Sequence, residues 1–123
     1  MRFKLDYSST AEEGFHYKIM GSFFMLRMAD YITCGMMDEA TFLYGEEVIL
    51  SERLKTVNKK VYYYPGVCVI HEHGATTKKA LGHRGINGYL LESLMYYYRT
   101  YRHEPKWKCL LCRGLYMLIN KIK

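Results

Sequence analysis

From Thr76 to Arg102, apolar and aromatic side chains recur at helical spacing, with Leu90, Leu91, Leu94, Tyr97, Tyr98 and Tyr101 on one broad face. Gly82, Gly85 and Gly88 interrupt the pattern and Pro105 breaks it. A second amphipathic stretch, Lys106–Lys123, follows. Two long helices at the end of a 123-residue chain leave space upstream for few short strands and a single core. The expected fold class is therefore α+β: a mixed region over residues 1–76, then a helical region over 77–123 ending in a basic amphipathic tail.

Upstream, the apolar runs are short. Residues 1–19 are polar and mixed, and Ser8-Ser9-Thr10-Ala11-Glu12-Glu13 resembles a loop or a capped helix start. Gly21–Arg27 has strand length and aromatic content. Met28–Cys34 reads as a brief helix closed by Gly35. Over Glu46–Asn58, Leu50, Leu54 and Val57 form an apolar stripe, with Glu46 and Glu47 in the first turn and Asn58 at the stop. Val61–Tyr64 and Val67–His71 read as two strand pieces around the Pro65-Gly66 turn.

Charge divides the chain at a similar place. Arg99, Arg102, Lys106, Lys108, Arg113, Lys121 and Lys123 face a single acid, Glu104, so the whole formal charge of +6 lies beyond residue 98. A neutral body argues against a nucleic-acid domain that tracks phosphates over its full face. Four cysteines, Cys34, Cys68, Cys109 and Cys112, are too few and scattered for a secreted disulfide scaffold. Residues 1–14 contain no apolar signal-peptide core, and no uninterrupted apolar run reaches the roughly 18 residues of a membrane span. These features suggest a cytoplasmic chain in a reducing compartment.

Several constellations carry possible chemistry. The Glu46-Glu47 pair at a loop-to-helix junction suits a general base, although a first turn that only complements the helix dipole is the commoner case. His71 ends a strand with His73 on the same side; the pair suits a metal or phosphate ligand, or an edge contact. Cys109-Leu110-Leu111-Cys112 fits packing on a helix face better than a redox motif, and it is a poor zinc site without a second pair. Tyr62–Tyr64 and Tyr96–Tyr98 allow stacking on a sugar or base, with core packing the default. Trp107 among Lys106, Lys108 and Arg113 fits an interfacial membrane helix, or a helix packed on its own domain.

Five pieces occur in a meaningful order: Gly21-Ser22-Phe23-Phe24-Met25-Leu26-Arg27, Gly35-Met36-Met37-Asp38-Glu39, Phe42-Leu43-Tyr44-Gly45-Glu46-Glu47, Arg53, and Tyr64-Pro65-Gly66-Val67-Cys68-Val69-Ile70-His71. In this order and spacing the chain resembles the acceptor-side half of a family 2 inverting glycosyltransferase of the GT-A fold. It is similar in particular to rhamnosyltransferase-like and capsular-polysaccharide members. The resemblance covers about residues 20–75.

It implies that Glu47 stands where the family places an Asp as catalytic base, with Glu46 sharing or taking that role. Asp38 and Glu39 would shape the acceptor-side turn. Arg53 would hold the base by an ion pair or remain structural, and His71 would contribute to a metal site. The family's cofactor is a divalent cation, Mn or Mg. Its partners are a nucleotide-sugar donor and a lipid-linked saccharide acceptor, in surface polysaccharide synthesis on the inner face of the cell membrane. A donor-binding half with a D-x-D motif completes the family's enzymes. Asp6, Asp30 and Asp38 are the only aspartates here, so no D-x-D exists. The expectation is a chain inactive alone that needs a donor-half polypeptide. The alternative is a non-enzymatic, basic, membrane-peripheral or protein-interaction module.

Overall fold

The computed structural model describes residues 12–18, 21–67, 69 and 75–121, with the side chains of 75–84 and 120–121 left aside. Among these residues the fold is α+β, with four helices and one two-stranded antiparallel sheet. Strand β1 spans Gly14–His16, helix α1 Met28–Thr33, α2 Glu46–Thr56, strand β2 Val61–Tyr63, α3 Ala75–Thr100 and α4 Lys106–Lys121.

The helix ends follow from local backbone chemistry. After α1, Gly35 adopts φ 88° and its N–H donates to the Ile32 carbonyl, while the Met36 N–H donates to Tyr31. After α2, Asn58 takes the same left-handed position at φ 56°, with the Asn58 N–H on Lys55 and the Lys59 N–H on Leu54. Both are Schellman closures, in which a left-handed residue turns the chain so that the last carbonyls are satisfied. Gly82, Gly85 and Gly88 do not divide α3, which runs unbroken for 26 residues. A helix-interior glycine costs only about 1 kcal/mol against alanine.

The sheet is small. Gly14 pairs with Tyr63, Phe15 with Tyr62 and His16 with Val61. Cross-strand ring contacts stabilise it, Phe15 on Tyr62 at 5.3 Å and His16 on Tyr63 at 5.8 Å. Nothing in the polar run 1–19 announced β1. Conversely, Gly21–Arg27, expected as a strand, contains a turn at its start and no ladder. Its alternation survives: Phe24 and Leu26 pack on the core while Phe23 and Met25 are exposed. The side chains obey a period of two, and what is missing among the described residues is a hydrogen-bonding partner strand. Of the expected strand Val67–His71, Val67 and Val69 are described and carry no strand; Cys68, Ile70 and His71 lie outside the described residues, as does Ser8–Ala11.

The core sits under α2. Cys34, Leu50 and Leu54 are buried together, with Tyr31, Met37, Val57 and Val61 packed around them, and Ile49 is fully enclosed. The predicted stripe of Leu50, Leu54 and Val57 is the face that packs. The α3 helix lies against α2 and α4.

Candidate functional site

Tyr44 and Gly45 adopt left-handed conformations in succession, φ 64° and 87°, immediately before α2. This double turn brings the chain sharply into the helix, so that Glu46 and Glu47 emerge in its first turn. Gly45 has no room for a side chain of ordinary fit, since an added Cβ would lie 3.2 Å from Ser93 Cβ on α3. The Ser93 hydroxyl donates to the Leu43 carbonyl at 3.0 Å, and the Phe42 and Tyr89 rings meet at 5.1 Å. The entry loop of α2 is thus tied to α3.

Gly21 approaches the same helix start. Its N–H donates to Glu47 Oε1 at 3.1 Å, and an added Cβ would come within 2.5 Å of that oxygen. A carboxylate held by a backbone N–H is fixed in orientation. Its neighbour differs. Glu46 Oε2 is buried with no hydrogen-bond partner among the described residues. Burial raises the Glu46 pKa; its own backbone N–H opposes the shift, and the nearby Glu47 charge adds to it. Adjacent carboxylates in unlike surroundings are a common arrangement for proton transfer.

Asp38 and Arg53 are joined by an ion pair, Arg53 Nη2 to Asp38 Oδ2 at 3.0 Å. The carboxylate also accepts from the Ala40 N–H at 3.0 Å, from the Tyr96 hydroxyl at 2.8 Å and from the Tyr101 hydroxyl. Arg53 donates further to Tyr101 at 2.8 Å and to the carbonyls of Gly35 and Met36. Burial alone would raise the Asp38 pKa, but the Tyr101, Ala40 and Tyr96 hydrogen bonds and the Arg53 charge outweigh it and hold the carboxyl below its usual value. Arg53 therefore braces the Gly35–Asp38 turn; of the two roles left open for it, an ion pair with the 46–47 carboxylates or a structural one, its contacts are those of the structural one. Its planar fork satisfies two carbonyls and a carboxylate at once, a task that α2 presents on the side away from its start.

A second buried carboxylate, Glu52, accepts from Tyr17 at 2.5 Å and Arg102 at 3.0 Å, with Lys55 at 3.5 Å. Burial opposes its ionisation, and the Tyr17 and Arg102 hydrogen bonds overcome this to lower its pKa. Tyr17 responds in the other direction: burial first, then Glu52 and Tyr97, push its hydroxyl well above the ordinary phenol value. This network ties the residue after β1 to α2 and α3.

Among the other anticipated residues, Glu39 is exposed and makes no hydrogen bond or ion pair to the described residues. His71 lies outside them. Trp107 and Lys106 are exposed, Lys108 pairs with Glu104 at 2.7 Å, and Arg113 lines a cleft between α3 and α4. Cys109 is buried against α3, whereas Cys112 is exposed. No three of His, Cys, Asp and Glu among the described residues gather where they could hold a metal ion, and His71, the ligand that the resemblance assigns to this chain, lies outside them. Sequence reasoning missed Tyr96, Tyr101, Glu52 and the role of Gly21. A glycine seven residues before the α1 start was the only local signal for the last.

Comparison with known proteins adds no relative. No protein-family model matches the chain, and no curated protein or solved structure is significantly similar to it. Its function is to be argued from the site.

Proposed function

We propose that this chain is the acceptor-side part of an inverting glycosyltransferase of the GT-A fold, working with a donor-binding half supplied in cis or in trans. The observation that carries the reading is the fixed Glu47 carboxylate at the start of α2, one oxygen of which accepts from the Gly21 N–H. In this reading Glu47 accepts the proton of an acceptor hydroxyl while its oxygen bonds to the anomeric carbon of the donor sugar. The bond from that carbon to the nucleotide diphosphate breaks on the opposite face, and the configuration inverts. Glu46, whose pKa burial raises, serves as the neighbouring proton reservoir or substitute base. Asp38, locked by Arg53, Tyr96 and Tyr101, forms a rigid acceptor-side turn. In this reading the donor-binding half supplies the divalent cation's principal ligands, and stabilisation of the departing diphosphate is assigned to none of the described residues.

The test joins the chain to a donor-binding half carrying D-x-D and follows sugar transfer from a nucleotide-sugar to a lipid-linked saccharide. Glu47→Gln is expected to lower kcat by about 10²–10⁴-fold, the contribution of a positioned general base. Transfer that persists undiminished in the Glu46→Gln/Glu47→Gln double variant overturns the assignment. The non-enzymatic alternative draws its support from the exposed apolar face of α4, and it requires that no donor half confer transfer.

A further inference from the structure

The α4 helix turns its apolar side away from the fold. At about 100° per residue, Trp107, Leu111, Leu115 and Leu118 form one stripe along the helix. Each is more than half exposed, as are the adjoining Leu110 and Ile119. The buried residue of α4, Cys109 at 7 % exposure, lies on the opposite side, against α3. A helix that only completed a domain would present the reverse pattern.

Charge identifies the occupant. The sequence of α4 contains three lysines and one arginine and neither Asp nor Glu. Between Leu110, at the edge of the apolar side, and Cys109, on the covered side, α3 and α4 enclose two adjoining cavities of about 380 and 150 Å³ that share Met95, Arg99 and Arg113. Lys106 and Leu110 line the smaller one, and Glu92 lines the larger. Arg99, Lys106 and Arg113 form no ion pair with a carboxylate among the described residues, whereas Lys108 is taken by Glu104 at 2.7 Å. The cleft thus places three cations beside the edge of an apolar face that begins with a tryptophan. With 16 residues, α4 is about 24 Å long, short of the roughly 30 Å hydrocarbon core, and no described helix is long and apolar enough to cross a membrane. A second copy of the chain is the poorer occupant, because the +6 charge beyond residue 98 would be set against itself.

We infer that α4 docks in the plane of an anionic lipid bilayer. Trp107, Leu111, Leu115 and Leu118 enter the acyl boundary, and the cleft of Arg99, Lys106 and Arg113 receives lipid phosphates. This inference is independent of the glycosyl-transfer reading.

Trp107 is the single tryptophan, so its emission reports the docked face directly. The 123-residue chain is mixed with phosphatidylcholine vesicles, with and without phosphatidylglycerol, and followed by fluorescence and flotation. The expected result is a blue shift and flotation with the anionic vesicles, weakening as salt is raised. Arg99→Gln/Lys106→Gln/Arg113→Gln should lose on the order of a hundredfold in vesicle affinity. Leu111→Gln/Leu118→Gln, changes at exposed positions, should abolish the blue shift while helical circular dichroism is retained. The inference is overturned if the folded chain fails to float with anionic vesicles, or if the triple variant binds them as tightly. A blue shift that grows with protein concentration in the absence of vesicles, together with sedimentation as a dimer, also overturns it and assigns the face to a second copy.

Discussion

Asp38→Ala removes the hydrogen-bond acceptor on which the Gly35–Asp38 turn depends. The Asp38 side chain is 9 % exposed and that of Arg53 23 %, so the pair is largely shielded from water. The substitution strands the Ala40 N–H, the Tyr96 hydroxyl and one arm of Arg53. Arg53 keeps the Gly35 and Met36 carbonyls, and Tyr101 keeps its bond from Arg53. Removing one partner of a buried pair costs about 3–5 kcal/mol, and the surviving contacts place this case near the lower end, about 3 kcal/mol. For a chain of this size, Tm should fall by on the order of 10 °C. Asp38→Asn keeps the shape and one acceptor oxygen, and should cost about half as much. Urea unfolding followed by circular dichroism at pH 7 measures both changes. Adding Arg53→Met to Asp38→Asn closes a double-mutant cycle with an expected coupling of about 1 kcal/mol or more. A cost below about 1 kcal/mol for Asp38→Ala, or additivity within about 0.5 kcal/mol in the cycle, would refute the account of Arg53 as a brace.

Other consequences are open to measurement. Gly45→Ala forces a side chain into a left-handed position with its Cβ 3.2 Å from Ser93 Cβ, and should cost about 1–2 kcal/mol in urea unfolding. Gly21→Ala meets only the tip of the Glu47 side chain, so stability should fall by less than about 1 kcal/mol. Hydrogen exchange at the amide of residue 21 should nonetheless accelerate as its bond to Glu47 is displaced, and protection equal to the parent would contradict that contact. Asp38 and Glu52 have lowered pKa values, so the stability they contribute is present above the unfolded values of about 4 and is lost as pH falls through the folded ones; Asp38→Asn should flatten the acid limb of stability against pH. Glu46 has the opposite sign: its raised pKa contributes nothing below about pH 4.3 and destabilises the fold as pH rises through the folded value. Glu46→Gln should accordingly be more favourable to stability at pH 7 than at pH 4, and equal effects at both would refute its burial as a carboxylate.

Much of the local architecture was legible residue by residue. The acidic first turn of α2, the Leu50-Leu54-Val57 stripe and the break at Pro105 are short-range signals, and each matches the element observed. Of the candidate site, Glu46, Glu47, Asp38 and Arg53 were visible as residues, but their partners were not. The expected tie between Arg53 and the glutamates rested on proximity along one helix, whereas its guanidinium reaches a turn 15–18 residues earlier in the chain. The tyrosine run Tyr96–Tyr98 read as core packing, or as a surface for stacking on a sugar or base. Its hydroxyls instead serve buried carboxylates, Tyr96 on Asp38 and Tyr97 near Glu52 at 3.5 Å, because a buried phenol needs a polar partner that only the assembled fold supplies.

The sequence alone determined where α1 and α2 end and which faces of the helices are apolar, since left-handed closures at Gly35 and Asn58 and helical periodicity act within five or six residues. Tertiary structure decided the rest. Residues 23–26 alternate like a strand yet form no ladder with the described residues, because a ladder needs a second chain segment at the right distance. Asp38 meets Tyr96 and Tyr101 across 58 and 63 residues, contacts that no local pattern encodes. The amphipathic character of α4 was written in its residues. That its apolar side faces outward followed only from the side that α3 covers, because packing determines which face of an amphipathic helix is left to solvent.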